Sequence, residues 1–257
     1  MAQATHIRWP ASTAISFAAA FFKYALAAAA LSIFNLSYAV DNTSAFQFKA
    51  FSAEYKLKKI GMTLGTAKFS LQETAADTWQ YASSIKPSGM ARMFSKDEFS
   101  EASSVLFKDG LLTPAGYQYT RTGKKPEVAS VSYDWTAKQA TFTRNGEEQR
   151  LALQDSHQDR YSMVLALMQA TAQGQQDMQY QVIDKSMKLR SYSRDGEETV
   201  KTALGKKNTI RIIQNSGRRQ IHYWLSPELN YIPVRIEQFK EGKSQLKLTL
   251  KKLRWTD

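Results

Sequence analysis

Residues 232–251, IPVRIEQFKEGKSQLKLTLK, hold the two features that decide the fold. Ile232, Val234 and Ile236 alternate with Pro233 and Arg235, and Leu246, Leu248 and Leu250 alternate with Lys247, Thr249 and Lys251. Successive side chains of a strand point to opposite faces, so each run is a strand with one face on a core and one in water. Glu241-Gly242 stands between them, where a tight hairpin needs the positive φ that glycine adopts without steric cost.

The same pattern recurs along the chain. Tyr117, Tyr119 and Arg121 lie opposite Gln118, Thr120 and Thr122, and Val131, Tyr133 and Trp135 alternate with Ser130, Ser132 and Asp134. Asp109-Gly110, Asn145-Gly146, Asp195-Gly196 and Ser216-Gly217 each separate two such runs. These turn signals predict a meander of consecutive antiparallel hairpins.

One segment breaks the period. Residues 156–174 read SHQDRYSMVLALMQATAQG, with Tyr161, Val164, Leu165 and Met168 at helical spacing and Met163 and Leu167 widening the apolar stripe. Ser156 and Asp159 have the spacing of a helix start, and Gly174 suits a helix stop. The expected fold is mainly β: an antiparallel meander forming a curved sheet or half-barrel, with one central helix over about 156–173 buried in its hollow.

Residues 1–39 contain no acid and two bases, Arg8 and Lys23. An apolar stretch, Tyr24–Phe34, follows Lys23, and small residues at Ser37 and Ala39 precede a cleavage point. This is the pattern of a secretory signal peptide, so residues 40–257 are expected to form a single β-rich periplasmic domain that does not span a membrane. The whole chain of 257 residues has no Cys, and its formal net charge is +12, of which Arg8 and Lys23 supply two. Without Cys there is no disulfide framework, thiol nucleophile or zinc–cysteine site. Stability must come from the core, which a chain of this length can supply.

The catalytic signatures are missing. No G-x-S-x-G elbow, Walker loop, H-E-x-x-H pair or G-x-G-x-x-G turn occurs. Beyond residue 39 the only histidines are His157 and His222. Asp155, His157 and Asp159 have ligand-like types, yet helix capping accounts for the acids, and neither a metal nor a cofactor is expected. Glu54, Asp97, Glu98 and Glu101 are the carboxylates that a hydrolase of envelope polymers would draw on. Basic pairs recur at Lys58-Lys59, Lys124-Lys125, Lys206-Lys207, Arg218-Arg219 and Lys251-Lys252. In an exported protein their partners would be anionic lipid, lipopolysaccharide or acidic glycan, not nucleic acid. Met163, Leu167 and Met168 on the helix, facing Tyr117, Tyr119, Trp135 and Trp224 on the strands, would line an apolar binding cavity.

Three stretches together resemble one family. Ala53-Glu54-Tyr55-Lys56-Leu57 with Gly61 and Gly65-Thr66-Ala67 is similar to its opening strand pair. Gln158-Asp159-Arg160-Tyr161-Ser162 is similar to its helix start, and Trp224-Leu225-Ser226-Pro227 with Ile232-Pro233-Val234-Arg235-Ile236 to its closing hairpin. The family is the exported proteobacterial domain of unknown function 3108, and the resemblance runs from about Phe46 to Trp255. It implies a periplasmic β-rich protein, more distantly similar to half-barrel lipoprotein carriers that hold acyl chains between a curved sheet and helices. With one helix, this chain departs from their multi-helix lid.

The expectation is therefore a non-enzymatic periplasmic binding or carrier protein for an amphipathic or lipid-like ligand. The alternative is an envelope interaction or scaffold protein with a protein partner and no small ligand. A hydrolase ranks behind both.

Overall fold

The computed structural model describes residues 46–89, 92, 96–184 and 186–256. The expected signal peptide lies outside them. Eight strands follow one another: β1 (Phe51–Lys59), β2 (Met62–Ala75), β3 (Thr78–Pro87), β4 (Phe99–Lys108), β5 (Leu111–Arg121), β6 (Glu127–Asp134), β7 (Gln139–Arg144) and β8 (Glu147–Ala152). A short β9 (His157–Asp159) leads into helix α1 (Ser162–Ala172). A second meander comprises β10 (Asp177–Ile183), β11 (Met187–Thr202), β12 (Gly205–Ser216), β13 (Arg219–Ser226), β14 (Ile232–Lys240) and β15 (Lys243–Trp255).

The first strand pairs with the last, Phe51 opposite Trp255, which joins the meanders into one 15-stranded sheet with β8 and β9 at its edges. Among the described residues only the β9–β10 pair is parallel. Residues 153–156 alone separate the two edge strands, and an extended chain covers about 3.5 Å per residue, so the edges are drawn toward each other. Leu153 N–H donates to the Lys138 carbonyl, and Asp159 of β9 meets Ser103 of β4 and Tyr133 of β6. The sheet thus bends around α1 without closing into a barrel.

The inner face is the one turned toward α1, and helix residues Leu165, Leu167 and Met168 are fully buried there. Among α1 residues only Gln169 and Ala172 are not buried. Tyr161, just before the helix, packs on Phe69, Tyr81 and Tyr117 from three strands. Beneath the helix C-terminus Phe48 packs on Phe107. Aromatic residues at these spacings add geometry-specific contact to their burial.

Two local expectations are revised. The helix begins at Ser162, six residues after Ser156, with Tyr161 at the N-cap position. Asp159, two residues earlier, supplies the cap: its Oδ1 accepts from the N–H groups of Tyr161 and Ser162, while Ser162 Oγ accepts from Asp159 N–H. Residues 157–159 cannot be helical as well, because they pair with Gln181–Ile183. Asp195-Gly196 is not a turn but a bulge inside β11, where the register with β12 slips between Arg194 and Glu197. Gly196 takes φ 78° there, since a bulge requires the same left-handed backbone as a turn.

Candidate functional site

The inner face is sealed around α1 and opens toward the far end of the strands. Along β1 exposure rises from 1 % at Phe51 and Ala53 through 2 % at Tyr55 to 7 % at Leu57. On β13 Leu225 and Tyr223 are buried and Ile221 is half-exposed; on β14 Pro233, opposite Leu225, is buried and Ile236 half-exposed; on β15 Leu250 is buried and Leu246 half-exposed. Cross-strand partners share a face, and the register sets Tyr223 opposite Ile236 and Ile236 opposite Leu248. Ile221, Ile236 and Leu246 therefore form a largely apolar wall of a trough at the open end, with the exposed Gln238 between Ile221 and Leu246.

The adjoining wall is charged. Glu101 is the inner residue of β4 one pleat beyond Ser103, and it is buried. Its Oε2 accepts a 2.7 Å hydrogen bond from the Tyr117 hydroxyl, and its Oε1 lies 3.4 Å from Arg160. Arg160 also reaches Asp184 at 3.8 Å, and Asp184 lies 3.5 Å from Arg190. Burial pushes the Glu101 carboxyl above the ordinary range, against the pull of Arg160 and the Tyr117 hydroxyl. Arg190 stands two residues before Tyr192 on β11, and Tyr192 packs on Tyr223 of β13 at 6.4 Å, so the charged cluster adjoins the apolar wall. Tyr119, Phe142 and Arg144 border a pocket of about 110 Å³ beside Arg160 and Asp184. Among the described residues, Arg190 Nε and the buried Tyr192 hydroxyl have no protein partner. Such atoms mark places where water or a ligand supplies the hydrogen bond.

A larger groove, about 250 Å³, lies over Ala102, Ser104, Gly116, Ser130 and Ser132 on the outer face. Its lining, completed by Gln80, Tyr117, Gln118 and Val131, holds no carboxylate or cationic side chain, so the trough is the better candidate.

The expected site residues fall in four places. Met163, Leu167 and Met168 belong to one core with Tyr117 and fill the closed end. Tyr119 is half-exposed at the trough. Trp135 stacks on Tyr133 and donates from Nε1 to the Pro114 carbonyl at 2.6 Å. Trp224 stands apart: it pairs with Arg211 and Arg235 on the outer face, donates to Glu198 Oε1 and lies 5.0 Å beneath the Arg235 guanidinium.

Asp155, His157 and Asp159 do not converge. Asp155 is exposed and pairs with Lys138, the buried His157 sits between the Gln154 backbone and Met187 Sδ, and Asp159 accepts from Ser103 Oγ at 2.8 Å. Among the carboxylates considered for hydrolysis, Asp97 pairs with Arg121, Glu98 with Lys86 and Glu101 with Arg160, while Glu54 lies on the other face of β1 from Tyr55. Arg160, Asp184 and Arg190 escaped notice in the sequence, since their meeting depends on β9 returning to the inner face. Arg160 did stand in the helix-start motif, beside the capping Asp159.

The sequence matches, over residues 50–251, the family described as protein of unknown function DUF3108, and the chain belongs to it. None of the curated proteins matches it. Among solved structures it is similar to a β-barrel-like protein of domain of unknown function DUF1849 from Brucella abortus, at 12 % identity and a TM-score of 0.55, covering 83 % of this chain and all of that one. That likeness is one of fold. A slighter one is to MucB, at 7 % identity and a TM-score of 0.32, covering 84 % of this chain and 56 % of that one.

Proposed function

From a DUF3108 protein whose sheet is sealed at one end and open at the other, we propose a non-catalytic binding protein of the bacterial envelope, exported to the periplasm with its signal peptide removed after Ala39. Its ligand is amphipathic and lipid-like, in the manner of a lipid, lipopolysaccharide or glycolipid. The graded exposure of the inner face carries this reading: the apolar wall of Ile221, Ile236 and Leu246 adjoins the polar cluster of Glu101, Arg160, Asp184 and Arg190. The wall takes the start of an apolar chain, and the cluster, with the unpartnered Arg190 Nε and Tyr192 hydroxyl, takes the polar head. Tyr117 and Tyr119 flank the head. Met163, Leu167 and Met168 serve by sealing the closed end, so the ligand rests in the trough and is not swallowed whole.

Native mass spectrometry of the protein purified from periplasm tests this. A reproducible extra mass of lipid or glycolipid size, lost on denaturation and lost in Ile236→Glu, is the expected result. A bare protein mass in both forms would overturn it.

The second reading is an envelope scaffold. It is favoured by β8, whose outer edge is unpaired and whose residues are mostly exposed. An extended partner strand could add there. Loss of a partner from envelope pull-downs on replacing Arg150 by Pro would mark that use of the edge.

A further inference from the structure

We infer that the open end of the sheet docks on an anionic lipid bilayer, with the tip of the β1–β2 hairpin as its apolar anchor. Ile60 has φ 46°, in the left-handed region. For a β-branched side chain that backbone is an outlier. The corresponding position in three other hairpins holds Asp109, Asn145 or Glu241, at φ 50–52°. Burial does not offset the strain, because Ile60 is 65 % exposed and its neighbour Met62 69 % exposed. The tip is held in place all the same, since Ile60 N–H donates to the Gln245 carbonyl at 3.0 Å. An apolar residue kept in a strained turn and in water does nothing for the core, which points to a role outside the fold.

The charges around the tip specify the partner. Lys58 and Lys59 adjoin it, and in sheet order the β14–β15 and β12–β13 turns follow, carrying Lys240, Lys243, Arg218 and Arg219. Among the described residues Lys58, Lys59 and Arg219 make no ion pair, and Arg218 reaches Glu241 only at 3.9 Å. Among the acids at this end Asp97 pairs with Arg121, Glu98 with Lys86 and Glu127 with Arg144, while Glu147 and Glu148 stand apart on β8, at the edge of the sheet. The closed end is mixed in charge: Lys206 and Lys251-Lys252 lie there, but Asp77 and Asp109 sit in its turns, Asp109 close to the exposed Leu111, and Lys207 is tied to Glu228. Basic residues around an exposed apolar tip fit a surface of anionic headgroups over acyl chains. A soluble polyanion would have no use for Ile60 and Met62. The inference does not depend on what the trough holds.

The unit Ser44–Asp257 contains every strand, the helix and the buried core, so it serves as the test protein. It should sediment with phosphatidylcholine vesicles that contain phosphatidylglycerol and not with phosphatidylcholine alone. The double variant Ile60→Asn/Met62→Ser should bind about tenfold more weakly or worse, from the lost apolar burial. Its melting temperature should stay level or rise, because Asn tolerates the left-handed turn. Vesicle binding by this variant equal to wild type would overturn the proposal, as would equal wild-type binding to neutral and anionic vesicles. Binding to dextran sulfate as tight as to vesicles, and unchanged in the variant, would mark a soluble-polyanion site and also overturn it.

Discussion

The hydroxyl of Ser103 donates a 2.8 Å hydrogen bond to the Asp159 carboxylate, so one fully buried acid both caps α1 and fastens it to β4. The bond joins residues 56 positions apart and fixes the helix against the meander made before it. Burial raises the Asp159 pKa, while its hydrogen bonds with Ser162, Ser103 and Tyr161 oppose the rise.

Replacing Asp159 by Ala should cost about 2–4 kcal/mol, the sum of a lost cap and an orphaned Ser103 hydroxyl. Asp159→Asn keeps an acceptor for the helix N–H groups and should cost about half as much. Urea denaturation of both variants, and of each with Ser103→Ala, measures the coupling.

Glu101 predicts a pH dependence. Burial raises its folded pKa, so the folded protein binds the proton more tightly than the unfolded chain. The stability this contributes is complete below the unfolded value, about 4.3 for Glu, and is lost as the pH rises through the raised folded value. Asp159 shifts in the same direction. The melting temperature, followed upward from about pH 4, should therefore decline less steeply in Glu101→Gln than in wild type. An identical slope would show that Glu101 does not titrate in that range.

Leu167→Ala and Ile236→Ala should separate core from trough. Leu167 is fully buried in the closed end, and its truncation should cost about 2–5 kcal/mol in urea denaturation. Ile236 is half-exposed, so its truncation should cost about 1 kcal/mol and act mainly on ligand retention, read by native mass spectrometry.

Trp224→Phe tests the two faces of the sheet. The variant removes the bond to Glu198 and keeps a ring near Arg235. It should cost about 1–2 kcal/mol and leave ligand retention unchanged, since Trp224 faces away from the trough.

Gly65→Ala should destabilise by about 1–3 kcal/mol. A Cβ at Gly65 would lie 2.4 Å from the Lys86 backbone oxygen, and main chain cannot step aside as a flexible side chain does. Thermal unfolding monitored by circular dichroism checks the loss.

The strands were readable because alternation is local, but a bulge is not readable in that way: the register of β14 slips at Val234, so Ile232 pairs with Ser226 while Ile236 pairs with Tyr223, and the two isoleucines fall on opposite faces. Alternation does not say which face is inner. Counting along Ile221, Tyr223 and Leu225 would have set Trp224 beside His222 on the outer face; its indole suggested a cavity instead. The Asp195-Gly196 signal was equally local, and a turn and a bulge place the same demand on φ. The Glu101–Arg160–Asp184–Arg190 network was out of reach, because it needs a three-residue strand to return beneath the sheet, and nothing periodic marks so short an element. Ile60-Gly61 was missed as a turn because Ile is the wrong residue for one.

Pairing β1 with β15 has a consequence for the order in which the molecule is made. The central seam of the sheet joins the first strand to the last thirteen-residue strand, so β1 lacks one neighbour until the chain is all but finished. The opening meander can form hairpins as it emerges, yet the sheet is completed only by contacts between residues some two hundred positions apart, which are slow to form. The connection between β8 and β9, at the opposite side of the sheet order, is correspondingly the natural place to open the ring of sequence: a circular permutant cut within 153–156 and joined across residues 46 and 256 would make that seam a local hairpin, and it should fold faster.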